Sequence, residues 1–176
     1  MGKKKKIGII AAAVAVLVVV AGIVAAVVLT NKNNGPDGNN PGGNTYNGQL
    51  KSFSFGKSYG LGGAVDYILV KQEEGKALLK CNFFGAVSEK DKNIEKTIDA
   101  KYLSELEQIL RDNNISEWNG FDQNEDGVLD GSGFSMKIDY DDGSSISAHG
   151  YMKYPDNYDK VQDELDAFFK RLMEEA

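Results

Sequence analysis

Residues 7–30, IGIIAAAVAVLVVVAGIVAAVVLT, carry no charge, and lysines at 3–6 precede them. As a helix rising about 1.5 Å per residue, the run would reach about 36 Å, enough to cross a hydrocarbon core of about 30 Å with some tilt. It exceeds the apolar region of about 7 to 15 residues that marks a cleaved signal peptide. The run is therefore expected to be a signal anchor, a single transmembrane helix in contact with the lipid bilayer. The basic tail 1–6 is expected to stay cytoplasmic while the rest of the chain becomes extracytoplasmic. The expected localisation is the cell membrane, single-pass.

Residues 31–47, NKNNGPDGNNPGGNTYN, supply turn formers and almost no apolar area, which predicts a flexible linker. The domain is expected over 48–176, long enough for one modest core. From Tyr46 to Ala176 there are 15 Lys and Arg against 25 Asp and Glu, a formal charge of −10. Nucleic acid is excluded as a partner on this balance, because phosphates demand basic contacts. The same balance opposes docking of the domain on anionic lipid. The lone Cys81 has no partner for an internal disulfide and reads as a small buried strand residue.

Within the domain, VDYILVK at 65–71 and KALLKCNFF at 76–84 are rich in β-formers and flank Glu73-Glu74-Gly75, which predicts an antiparallel hairpin. LKSFSF at 50–55 is expected to add an edge strand. Helical character is expected after Phe84, strongest over 99–113. There Asp99 is the N-cap candidate, and Tyr102, Leu103, Leu106, Ile109 and Leu110 share one face. Trp118 and Phe121 are expected to wedge into the core. Phe134, Met136, Ile138 and Tyr140 alternate, with Ser135, Lys137 and Asp139 turned to water. After the turn at 141–143, a second strand over 144–151 is expected to expose His149. A terminal helix over 158–173 carries Val161, Leu165, Phe168, Phe169 and Leu172 as its apolar stripe. The fold class is α+β, with an antiparallel sheet packed by two helices.

DQNEDGVLDGSGF at 122–134 has oxygen-bearing residues at the positions of a calcium loop. Asp122, Asn124, Asp126, the Val128 carbonyl and Asp130 fall at positions 1, 3, 5, 7 and 9, with Gly127 at the turn position. Position 12 is Gly133, so the closing bidentate carboxylate is missing, and Phe134 begins strand alternation where an EF-hand needs a helix. A structural turn is the favoured reading, with weak calcium binding through these five residues as the alternative. Gly56-Lys57-Ser58 lacks the glycine-rich start of a P-loop, and GLGG at 60–63 is no dinucleotide fingerprint. Ser147 and His149 share a strand face without an evident orienting acid.

The patterns W-x-G-F at 118–121, L-D-G-x-G-F-S at 129–135, D-G-S-x-I-S-A-x-G-Y-M at 142–152 and Y-P-x-N-Y at 154–158 occur together. This combination resembles an uncharacterised domain of anchored or secreted proteins from Gram-positive anaerobic bacteria, covering roughly 117–172. The resemblance implies no particular activity, and its character lies more in Leu-Asp-Gly than in the acids before it. The expected function is a membrane-anchored extracytoplasmic binding or envelope-interaction module without catalysis, its partner an envelope component or a protein. The alternatives are a calcium-binding surface domain using 122–130 and a small cell-envelope hydrolase.

Overall fold

A computed structural model describes residues 46–89 and 92–175. The chain runs β1 (Leu50–Tyr59), β2 (Ala64–Lys71), β3 (Lys76–Phe84), β4 (Ile94–Asp99), α1 (Lys101–Asp112), β5 (Asp122–Asn124), β6 (Ser132–Tyr140), β7 (Ser145–Tyr151) and α2 (Tyr158–Glu175). The strands form one sheet in the order β4-β3-β2-β1-β6-β7-β5. All its pairs are antiparallel except the short parallel pair of β5 and β7.

Period-two alternation divides the sheet into a core face and an open face. The core face carries Phe53, Phe55, Tyr67, Leu69, Leu79, Cys81, Phe134, Met136, Ile138 and Ile146, all buried. Both helices cover it, α1 with Leu103, Leu106 and Leu110 and α2 with Val161, Leu165, Phe168, Phe169 and Leu172. On the opposite phase Ser52, Ser54, Gly56 and Ser58 of β1 stay half-exposed, and Ser135, Ser147 and His149 are exposed.

The β2–β3 hairpin forms as the composition predicts, turning through Glu74 and Gly75 at positive φ. The segment expected as an edge strand is instead the central strand β1, paired to β2 on one side and β6 on the other. Gly56 and Lys57 interrupt its apolar pattern, yet the strand continues to Tyr59 because Lys57 faces the core and is neutralised there by Asp166 of α2. The stretch expected to lead into a helix contains β4. Ile94 and Ile98 face the core side, and Lys96 between them reaches the Met173 carbonyl at 3.2 Å. The cap falls one residue later than expected, at Ala100, and Asp99 stands just before it, its Oδ1 accepting from the Lys101 amide at 2.8 Å. The end of α1 is tied to α2 through buried Asn113. Its side-chain amide donates to Glu164 at 2.7 Å, and its carbonyl accepts from Asn157 at 2.8 Å.

The anchored architecture is corrected to an α+β domain with a seven-stranded sheet and two helices. Among the described residues no helix is long and apolar enough to cross a membrane. α1 has 12 residues, short of the roughly 20 a span requires. α2 has 18, but its outer side carries Asp159, Lys160, Asp163 and Lys170, charges a hydrocarbon core does not accommodate. The transmembrane signal anchor expected at 7–30 lies outside the described residues, as do the tail 1–6 and the linker up to residue 45. With no such helix among the described residues, the single-pass cell-membrane localisation, its cytoplasmic N-terminus and extracytoplasmic domain, and the bilayer as partner are not supported.

Candidate functional site

Strand registers place one polar row across the open face. Asn82 pairs with Asp66, Asp66 with Gly56, Gly56 with Ser135, Ser135 with His149, and His149 with Asp122. Gly56 leaves a gap in the middle of this row. A Cβ built there would lie 2.8 Å from Asp66 Oδ1 and 3.1 Å from Ser135 Oγ, so these two side chains lean over the glycine from either side. A trough of about 290 Å³ opens over this point, bounded by Ser58, Ala64 and Asp66 on one flank and by Ser135, His149 and Tyr151 on the other. Its size is near the lower end of the range for small-ligand sites, roughly 300 to 1,000 Å³.

Asp66 is the charged group within the trough. Partial burial holds its carboxyl above the ordinary carboxylate range, because the charged form loses hydration and no donor compensates for it. At the far end of the row His149 Nδ1 lies 3.3 Å from Asp122 Oδ1, with the two side chains 52% and 77% exposed. Solvent screens a pair so placed. The acid that sequence spacing did not reveal for His149 thus arrives from β5. A hydrolytic triad also needs its serine on the imidazole. Neither Ser135 nor Ser147 hydrogen-bonds to His149 through its hydroxyl, and the Ser135 oxygen leans toward Gly56 on the opposite side.

The loop at 122–130 does not draw its expected calcium ligands together. Asp122 turns to His149, and Asp130 Oδ1 accepts from the Leu61 amide at 2.9 Å. The Val128 carbonyl accepts from Tyr151 Oη at 3.2 Å, and Glu125 pairs with Lys153. Asn124 belongs to β5, and Asp126 lies exposed in the turn before Gly127. Among the described residues no three His, Cys, Asp or Glu side chains are grouped to hold a metal. The loop's observed work is to strap the end of β7 to the β1–β2 connection. Calcium at 1 mM is therefore expected to move the melting temperature by less than about 2 °C, the shift of a site no tighter than the ion concentration. A larger rise that disappears in Asp122→Ala/Asp126→Ala would restore the metal reading.

Much of the motif combination is committed to packing. Trp118, Phe134, Tyr154 and Tyr158 form one aromatic cluster, with Phe134 and Tyr158 centroids 4.8 Å apart and Trp118 and Phe134 5.6 Å apart. Trp118 Nε1 donates to Asn157 Oδ1 at 2.8 Å. Cys81 is likewise in the core, where burial pushes its thiol up to about 12, away from nucleophilic chemistry. Sequence reasoning missed Asp66 and Gly56. Asp66 stands inside an apolar strand where a solvent-facing charge is ordinary, and its setting depends on two strands remote in sequence. No protein-family model and no curated protein sequence matches the chain.

Proposed function

We propose that this protein is a binding module without catalysis, and that its ligand seats in the trough over Gly56 on the open face of the sheet. One observation carries this reading: Asp66 is half-buried beside a side-chain-free floor and has no hydrogen-bonding or ionic partner among the described residues. A carboxylate that has lost part of its hydration and lines a concavity without a protein donor gains from a ligand that supplies one. The strand framework supports the same reading, because a site on β1, β2, β6 and β7 is held by ladder hydrogen bonds and needs little ordering on binding.

The reading is tested with the isotopically labelled full chain against a library of small polar fragments, followed by amide resonances. Binders are expected to perturb Gly56, Asp66 and Ser135 together. Gly56→Val should weaken them by about tenfold or more, a loss of about 1.4 kcal/mol or more. Its added carbons meet the free ends of two side chains, so the melting temperature should change little. Binders that cluster elsewhere, or that bind Gly56→Val unchanged, refute the trough.

Asp66→Asn supplies a second check. Because the folded-state carboxyl sits above its unfolded value, its contribution to stability is full at acidic pH and is lost as pH rises through the folded value. Asp66→Asn is therefore expected to melt higher than the natural protein at pH 7, with the difference closing as pH falls toward the unfolded carboxyl range. A lower melting temperature for the variant at pH 7 would show that Asp66 is already paired.

A further inference from the structure

Resting on the binding reading above, we infer that the trough selects a primary alkylammonium group, held by the Asp66 carboxylate with the Ser135 hydroxyl beside it. The other half-buried carboxylates are each satisfied internally: Glu107 by Arg111, Asp139 by Ser52 and Lys137, Glu164 by Asn113, and Asp166 by Lys57. Among the described residues Asp66 alone of these lacks a donor. Of the lysines on its own face, Lys80 pairs with Glu95 at 3.1 Å and Lys137 with Asp139 at 3.8 Å, and among the described residues none pairs with Asp66. The missing partner is thus a cationic donor from outside the domain.

The geometry narrows its chemistry. A divalent metal would find one carboxylate where it needs several oxygen ligands. An ammonium is a compact point charge with several donors, matched to a single carboxylate and a neighbouring hydroxyl. Gly56 lets that head reach the strand, since any larger residue would occupy the space between Asp66 Oδ1 and Ser135 Oγ. On β2 the residues flanking Asp66 on the same face are Ala64 and Ile68, which offer apolar surface to an alkyl stem. The domain's formal charge of −10 adds long-range attraction for a cation.

The test titrates n-butylammonium and, separately, n-butanol into the labelled full chain at pH 7 and 0.15 M salt. Saturable shifts at Gly56, Asp66 and Ser135 are expected with butylammonium, with a Kd on the order of 1 mM, as suits so small a probe. Asp66→Asn should weaken it by about tenfold, the equivalent of one charge-assisted hydrogen bond, and Gly56→Val should abolish it. Equal binding of butanol, or full retention in Asp66→Asn, overturns ammonium selection while leaving the trough as a binding site. Shifts spread linearly over the acidic surface, or no shift at all, also overturn it. The trough itself falls only if the fragment library finds nothing there either.

Discussion

Phe134→Ala is expected to cost about 3 to 5 kcal/mol, the range for losing a buried aromatic ring. The ring centroid lies between 4.8 and 6.4 Å from those of Phe55, Trp118, Phe121, Tyr154 and Tyr158. These residues come from β1, the turns after α1 and the entry to α2, so the cavity left behind cannot be filled by one element moving alone. Phe134→Leu, which keeps much of the volume, should cost about half as much. Gly150, opposite Phe134 in the sheet, is part of the same packing: a Cβ there would lie 2.1 Å from the Lys153 carbonyl oxygen and 2.5 Å from Phe134 Cε1. Gly150→Ala is expected to cost about 1 to 3 kcal/mol in the natural background. In the Phe134→Ala background it should cost less, since only the carbonyl clash remains. Urea unfolding of the four proteins gives this coupling directly. A Phe134→Ala loss below about 1 kcal/mol would show that the cluster packs loosely, and strict additivity that the Lys153 carbonyl alone sets the cost of Gly150→Ala.

Where local pattern and burial coincide, the fold was legible. The alternation of Phe134, Met136, Ile138 and Tyr140 and the stripe of Val161, Leu165, Phe168 and Leu172 each report a single buried face, and both faces are found as expected. β4 was obscured because Lys96 stands between Ile94 and Ile98 on the core side, so the alternation reads as interrupted. β1 reads as an edge strand for a related reason. Gly56 and Lys57 look like the end of a strand until Asp166, far along the chain, is seen to face the lysine.

The candidate site was less legible than the fold. Asp66 meets Gly56 through the β1–β2 pairing and Ser135 meets His149 through β6–β7, but the two pairs join only through β1–β6, a long-range contact that no local spacing encodes. The acidic loop, by contrast, offered a complete local pattern up to its missing closing residue, and its side chains nonetheless point to separate partners. Spacing alone places oxygens along a chain. Convergence depends on the backbone path, and here β5 departs to pair with β7.

Removing Asp166 and removing Lys57 should have unequal effects, although both break the same ion pair. The Lys57 side chain is 3% exposed and that of Asp166 34%. Asp166→Ala strands an ammonium in the core, with the Tyr59 and Tyr67 ring centroids 5.7 and 5.6 Å from it. It also removes a carboxylate that, after burial, pushes the ionisation of the Tyr67 hydroxyl well up. The expected cost is about 3 to 5 kcal/mol, that of an uncompensated buried charge. Lys57→Met leaves a carboxylate that water still reaches, and should cost about 1 to 2 kcal/mol. The double variant Lys57→Met/Asp166→Leu exchanges the pair for apolar contacts and should return to within about 1 kcal/mol of the natural protein. Denaturant melts of the three variants decide the matter. Equal single-variant losses would mean that water reaches Lys57 as freely as Asp166. A double variant as unstable as Asp166→Ala would mean that the pair, rather than the volume it fills, holds β1 to α2. That distinction bears on the trough, because Lys57 follows Gly56 in β1. If the pair sets the strand's position, Asp166→Ala should also shift the Gly56 and Ser135 amides on the opposite face, whereas the double variant should leave them in place if volume suffices.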